Sequence, residues 1–366
     1  MAGENGKTKY FSLMEQLKND ILSGAIKPGE KLPSENELAA AYSISRHTVR
    51  KALGILENEG YITASHGKGT FCSERMRHMN RSGNIAVITT YISDYIFPRL
   101  IQGMDKVLSA NGYSIILKNT GNSRQIEAKY LEELLEKDID GLIIEPSKSQ
   151  LSCKHPDLYA KFEKFHIPCV FIQGIYEEMQ DKPHILMDDC RGGYLVTRYL
   201  TELGHRKIVG IFKADDSQGH ERHKGYVQAL QEAGICYDPD SVIWFHTEDR
   251  KTKPANALAR MISQGRCPEG IVCYNDQIAV LVIDTLGKSG CRVPEDVSVT
   301  GYDNSIYAQT WNGGITTITH PQEKLGEMAA EMLLLSLKGA DGRKGSMRKI
   351  IDPELIVRGS CRERKR

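Results

Sequence analysis

No apolar run in this 366-residue chain is long enough to cross a bilayer. Runs such as Met332–Leu335 fall far short of the ~20 residues that a spanning helix needs. The opening MAGENGKTKY is polar and has no cationic stretch leading into an apolar core, so a cytoplasmic location is expected rather than secretion. The nine cysteines (72, 153, 169, 190, 236, 267, 273, 291 and 361) are scattered and odd in number. None forms a C-x-x-C pair, so a disulfide framework is set aside in favour of reduced thiols. Cys169 and Cys273 sit inside apolar runs, where a thiol acts as a small hydrophobe. Surplus charge is missing too: the net value is +1, so contact with an acidic partner must come from the placement of a few basic groups. The usual chemical motifs are also absent. Gly287-Lys288-Ser289 mimics the end of a phosphate loop, but Val282 stands where its first glycine would be. His220 and His223 have H-x-x-H spacing without further zinc ligands. There is no G-x-S-x-G elbow. No catalytic residue, metal or cofactor is therefore assigned, and the chain is not expected to be an enzyme.

The most organised stretch is Ser34–Phe71. Ser34 with Glu37 three residues on reads as a capping box at the start of a helix. A small turn at Tyr42–Ile44 follows, and Ser45 caps a second helix. Val49, Ala52, Leu53 and Leu56 fall on one face of that helix at i, i+3, i+4 and i+7. The opposite face carries Arg46, His47, Arg50 and Lys51. Arg46 and Arg50 lie one turn apart near the helix start, where a recognition helix enters the major groove of DNA. The planar fork of arginine matches both acceptors of a guanine edge. Beyond Gly60, Tyr61–Thr63 and Thr70–Cys72 flank SHGKG, a hairpin with a small basic tip suited to a phosphate row or minor groove. Tyr10–Ser23 carries apolar residues at helical spacing and leads this unit.

These residues resemble the GntR family of bacterial winged-helix repressors. LPSENELA (Leu32–Ala39), SRHTVRKAL (Ser45–Leu53) and GYI with HGKGTF (Gly60–Ile62, His66–Phe71) carry the likeness, which covers about the first 72 residues. It implies double-stranded operator DNA as partner, with Arg46 and Arg50 on bases and Thr48 on the backbone. Ser34 and Glu35 would lie near phosphate or base, beside Ser45 and His47. His66, Gly67, Lys68, Gly69 and Thr70 would form the wing. Residues 73–83 are polar, basic and without period, and read as a linker.

From Asn84 onward, short apolar runs alternate with helical stretches. They run from NIAVIT, YSIILK, GLIIEP and PCVFIQ through KIVGIF, SVIWF and GIVCY to VSVTGYD. Such alternation predicts an α/β fold with parallel sheets covered on both faces. The number of runs favours two similar lobes over one sheet, with chain crossings expected near Phe171–Gly174 and Asp303–His320. Ligands of such sheets bind beyond the carboxyl ends of the strands. The side chains found there are Tyr91, Tyr95, Lys118, Glu145, Gln173, Asn275, Asp303 and His320, with Arg222 on a following helix. Amides, carboxylates and arginine pair with hydroxyls, while aromatic rings cover apolar C–H faces, so a polyol fits this set.

Residues 84–366 are similar to the LacI/GalR effector domain, a periplasmic-binding-protein-like fold. The matching text includes DGLIIEPSKS (Asp140–Ser149), MDDCRGGYLVTRYLTELGHRKI (Met187–Ile208), ERHKGYVQAL (Glu221–Leu230), YNDQIAV (Tyr274–Val280), VSVTGYDNS (Val297–Ser305) and TTITHPQEKLG (Thr316–Gly326). The likeness implies a small sugar effector held by Gln173, Arg222, Asn275, Asp303 and His320. It also implies a homodimer presenting two heads to a pseudo-palindromic operator. The chain departs from that family in carrying a GntR-type head in place of its usual reading head and hinge helix. The fusion resembles the arabinose-responsive repressors of bacteria, and Lys118–Thr120 and Glu145–Ser149 strengthen that likeness. It implies L-arabinose as effector, although spacing leaves the pentoses undistinguished. A metabolite enzyme with a DNA head and a sugar-transport binding protein are the competing classes.

Overall fold

The structure, a computed structural model, describes residues 9–65, 68–73, 82–92, 96–165, 167–338 and 347–364. The first unit comprises α1 (Lys9–Leu22), α2 (Glu35–Ala41) and α3 (Arg46–Asn58), then β1 (Ile62–Ser65) and β2 (Gly69–Cys72). Ser34 accepts from the Glu37 amide while the Glu37 carboxylate accepts from the Ser34 amide, so the capping box forms as expected. The turn after α2 is closed by Ser43 at φ 51°, and Ser45 accepts from the Thr48 amide to start α3. Val49, Ala52, Leu53 and Leu56 are buried against Leu13, Met14, Leu17 and Ile21 of α1. The hairpin pairs Ile62 with Cys72 and Ser65 with Gly69.

The expected linker is held at both ends. The Ser73 amide donates to the Tyr61 carbonyl. Ser82 and Gly83 donate to the buried carboxylate of Asp140.

Two wound lobes follow. The first has a six-stranded sheet ordered β13-β7-β6-β5-β3-β4. Its strands are β3 (Asn84–Thr89), β4 (Ser114–Asn119), β5 (Gly141–Ile144), β6 (Cys169–Ile172), β7 (His184–Met187) and β13 (Arg348–Ile351). Its helices are α4 (Phe97–Ala110), α5 (Arg124–Leu135), α6 (Pro156–Lys164) and α12 (Gln322–Leu337). The second lobe orders its strands β11-β10-β8-β9. These are β8 (Ile208–Lys213), β9 (Val242–Phe245), β10 (Gly270–Cys273) and β11 (Ser298–Thr300). Around them lie α7 (Asp189–Glu202), α8 (Ser217–Glu232), α9 (Lys253–Ser263), α10 (Asp276–Lys288) and the short α11 (Ile306–Thr310). A small antiparallel pair, β12 (Thr317–Ile318) with β14 (Leu355–Ile356), adjoins this lobe.

Both main sheets are wholly parallel and bury both faces, which explains their continuous apolar runs. In β3, Ile85 and Val87 pack towards α4 and α12, while Ala86 and Ile88 pack towards α5 and α6. The two lobes repeat one strand order, so each has a switch point beside its first strand, and those switch points define the cleft.

The first crossing falls later than Phe171–Gly174. The chain stays in the first lobe through β7 and leaves it at Asp188, between β7 and α7. His184–Met187 opens on a histidine, holds only three apolar residues and runs into a helix, so its apolar run was too short to register. The second crossing, at 319–321, agrees with the expected one. A third, at 352–354, carries the chain from β13 to β14, neither of which the pattern announced. β13 is a largely exposed edge strand. The outward side of α4 is polar, and its Met104 and Leu108 are buried within the chain.

Candidate functional site

On the head, Arg46 and Arg50 stand out from α3 with side chains 59% and 64% exposed. Both are held by one carboxylate: Glu35 accepts from Arg50 Nε at 2.8 Å, and Arg46 approaches it at 3.5 Å. Hydrogen bonding from Arg50 is the main reason the Glu35 carboxyl titrates below its ordinary range. A short acidic side chain at the start of α2 thus aligns two guanidinium forks on one surface. His47 is exposed beside them. The Thr48 hydroxyl shares a hydrogen with Ser45 at 2.8 Å, so it serves the helix cap. On the hairpin, the Lys68 amide donates to Ser65, and Gly69 takes φ 112°, a conformation that glycine permits. His66 and Gly67 lie outside the described residues.

Between the lobes is a cleft lined from both sides. Thr90, Tyr91, Phe97, Glu145 and Gln173 come from the first lobe. Lys213, Asp216, Gln218, Arg222, Phe245, Arg250, Tyr274, Asn275, Gln277, Ile278 and Asp303 come from the second, and His320 from a crossing. Seven expected residues are therefore brought together: Tyr91, Glu145, Gln173, Arg222, Asn275, Asp303 and His320.

Lys118 is a correction. Its ammonium donates to Glu133 at 2.8 Å and sits over the Tyr130 ring, both on α5. The reason is register and alternation. Lys118 pairs with Ile88, inside the sheet rather than beyond it, and strand period turns it towards α5. Tyr95 lies outside the described residues.

Arg222 is the anchor of the second lobe's wall. Its Nε donates to Asp189 at 2.8 Å, another nitrogen donates to the Tyr274 carbonyl, and Asp303 lies 3.9 Å away. The guanidinium stacks 3.5 Å from the Tyr302 ring centre, a cation–π contact in a desolvated place. Burial opposes its charge, but Asp189, Tyr302 and Asp303 outweigh burial and hold it firmly protonated. Burial likewise pushes Asp189 up to about 6, despite the attraction of Arg222. The backbone that brings these groups together needs two glycines. A Cβ on Gly193 would meet the Arg222 carbonyl at 2.1 Å, and one on Gly225 would meet the Cys190 carbonyl at 1.9 Å, so α7 and α8 touch through bare backbone.

Opposite, Glu145 accepts from the Thr90 amide at 2.9 Å and from its hydroxyl at 2.6 Å. Burial pushes its carboxyl up to about 7. Gln173 takes φ 65° and Asp303 takes φ 95°. Left-handed non-glycine residues of this kind collect at ligand sites. The Gln173 side-chain oxygen pairs with His320 Nε2 at 2.9 Å. Burial lowers the imidazole's affinity for a proton, so the neutral ring carries its hydrogen on Nε2 and leaves Nδ1 a bare acceptor. His320 Nδ1 and Gln173 Nε2 are both buried without a partner among the described residues. The cleft thus presents one unsatisfied acceptor and one unsatisfied donor on adjacent side chains.

Lys213 is buried and donates to Asp216 at 2.6 Å, and Tyr274 donates to the same carboxylate at 3.2 Å. Strand-end inspection missed this group. The signal was a lysine closing the otherwise apolar β8. Asn275 spends its oxygen capping α10 through the Ile278 amide at 3.0 Å. Behind it, Asp276 accepts from Ser305 and Thr317, and burial raises its carboxyl to about 7. His220 Nε2 donates to the Ala214 carbonyl, and His223 pairs with Tyr237.

The lobes are also tied beside the cleft. Asn122 of the first lobe donates to Asp216 at 3.1 Å and to Thr247 at 2.6 Å. Lys148 donates to Glu248 at 2.5 Å, and Arg250 lies 4.4 Å over the Tyr91 ring. The segment between β9 and α9 therefore straps the second lobe onto the first.

Known proteins share this organisation. The family profile described as bacterial regulatory proteins, gntR family, matches residues 9–72, and that of the periplasmic binding protein-like domain matches residues 197–361. An arabinose metabolism transcriptional repressor of Halalkalibacterium halodurans is 41% identical over 98% of this chain and 98% of its own. One from Geobacillus stearothermophilus is 39% identical over 97% and 98% respectively. Among solved structures, a LacI family transcriptional regulator from Enterococcus faecium with bound ribose covers 77% of this chain and 100% of its own. It matches with a TM-score of 0.66 at 26% identity. The relatives are regulators, not enzymes, and no described helix is long and apolar enough to cross a membrane. The chain belongs to the family of bacterial transcriptional repressors that join a gntR-type DNA-binding head to a periplasmic-binding-protein-like domain.

Proposed function

We propose that this repressor is released from its operator when a small sugar, L-arabinose, enters the cleft. The observation that carries the reading is the unsatisfied pair on Gln173 and His320. A hydroxyl both donates and accepts, so the hydroxyls of a sugar can serve both groups. Glu145, Arg222, Asp303 and Asn275 supply further partners for a polyol, and Tyr91, Phe97 and Tyr274 offer ring faces. The names of the two relatives support arabinose among the sugars.

Two heads on a homodimer would grip a pseudo-palindromic site through Arg46 and Arg50, because one recognition helix reads too few bases for specificity. Sugar bridging the lobes favours the closed arrangement. It weakens operator binding only as far as it prefers the form with misplaced heads, and residues 73–83 transmit the change. A thermal-shift screen of monosaccharides tests the reading, since a ligand of the folded state raises the melting temperature by mass action. A rise with L-arabinose, exceeding that with other pentoses, is expected. No rise with any sugar overturns it.

A further inference from the structure

Two thiols lie in contact at the end of the second lobe remote from the cleft. Cys267 lies in the loop between α9 and β10, and Cys291 follows α10. Their sulfurs are 3.8 Å apart and share a hydrogen. Cys267 is exposed and Cys291 half-buried, so small oxidants reach them, whereas Cys273 is enclosed in its strand. Both lie in connections that turn at left-handed glycines, Gly265 at φ 75° and Gly290 at φ 78°. Such connections shift more easily than a strand or helix interior. We infer that Cys267 and Cys291 are a redox modification site, a dithiol that a peroxide converts reversibly to an intramolecular disulfide.

Either sulfur can give up the shared hydrogen. Taken from Cys291, the step balances just as it does from Cys267. The Cys291 thiolate attacks one peroxide oxygen. The O–O bond breaks, and the departing oxygen takes a proton and leaves as water, with Cys291 now a sulfenic acid. The Cys267 sulfur then attacks the Cys291 sulfur, the S–O bond breaks, and that oxygen leaves as the second water with the Cys267 proton. Two thiols lose two electrons and the peroxide gains them.

The closed ring contains all of β10 and α10, whose far ends supply Tyr274, Asn275, Gln277 and Ile278 to the cleft. α10 has 13 residues, about 20 Å of helix at 1.5 Å per residue. The bond thus braces the unit that presents these groups without touching a ligand.

The test treats the reduced full-length protein with hydrogen peroxide under native conditions, then blocks free thiols and maps peptides. A Cys267–Cys291 linkage reversed by dithiothreitol is expected, with a melting temperature higher by roughly 5 °C. Cys291→Ser should abolish both the link and the shift. Cys267→Ser or Cys291→Ser should leave a sulfenic acid on the remaining thiol that dimedone traps. The proposal is overturned if peroxide leaves both thiols as open to alkylation as the exposed Cys236. It is also overturned if the linkage joins other cysteines, or if neither Cys267→Ser nor Cys291→Ser leaves a sulfenic acid that dimedone traps on the remaining thiol.

Discussion

Replacing Glu145 by glutamine removes a buried acid while keeping an acceptor for Thr90. The carboxyl is raised from the ordinary 4.5 to about 7, chiefly by burial and further by the nearby charge of Asp216, against the pull of Thr90 and Lys213. Below pH 4.5 it is protonated in folded and unfolded chains alike. As the pH rises towards 7, the unfolded chain ionises and the folded one resists, so the wild type loses stability through this window and is level again above it. A shift of about 2.5 units corresponds to about 3 kcal/mol at ~1.4 kcal/mol per unit. This is an upper figure, because local rearrangement and water entry relieve part of the cost. The glutamine variant lacks the loss, so its stability relative to wild type should improve by 1–3 kcal/mol, as an order of magnitude, between pH 4.5 and pH 8. Asp276 and Asp189, also raised by burial, are present in both proteins and cancel. Urea denaturation followed by far-ultraviolet circular dichroism at several pH values measures the difference. Parallel profiles for the two proteins would refute the reasoning, since they would mean that Glu145 ionises as freely in the fold as out of it.

Arg46→Ala should weaken operator binding at least tenfold, as expected for a lost guanine contact of ~1–3 kcal/mol. Sugar affinity should stay intact, as read by gel shift and calorimetry on one preparation. Arg222→Ala leaves Asp189 buried without its cation, so about 3–5 kcal/mol of stability should go along with the sugar response, as read by denaturation and sugar titration. Gly225→Ala forces a methyl against the Cys190 carbonyl and should destabilise by more than about 2 kcal/mol, whereas Gly287→Ala, with open space around it, should not. Thr247→Val removes the bond to Asn122 at a cost near 1 kcal/mol, so sugar should dissociate roughly fivefold faster in stopped flow with the operator affinity of the free protein unchanged.

Much of this was written in the chain. The head was legible because its helices are short, capped and amphipathic, so Ser34, Glu37 and Ser45 mark their starts and Val49–Leu56 marks the inward face. Helices such as Phe97–Ala110 and Gln322–Leu337 have no side-chain cap and were legible by their apolar spacing alone. Strands buried on both faces were legible as apolar runs. The brief β7 and the polar edge β13 were not, and with them went the first and third crossings. In the cleft, a rule that looks past strand ends found Glu145, Gln173, Asn275 and Asp303. It misplaced Lys118 because a strand end and a cleft wall coincide only near the switch point, and β4 is an edge strand. It missed Lys213 and Asp216 because their roles arise from pairing with each other and with Tyr274 across separate loops. The clasp of Glu35 on Arg46 and Arg50 was invisible for the same reason: it is a tertiary contact between two helices.

The central claim is that occupancy of the cleft controls grip on DNA. It is tested most directly by fluorescence anisotropy of a labelled operator duplex bound by the full-length protein, titrated with L-arabinose at fixed salt. The account predicts that anisotropy falls to the free-duplex value with wild type and stays high with Arg222→Lys, which keeps the charge but not the planar fork. Operator binding that is indifferent to L-arabinose, while calorimetry shows the sugar bound to the same sample, would contradict it.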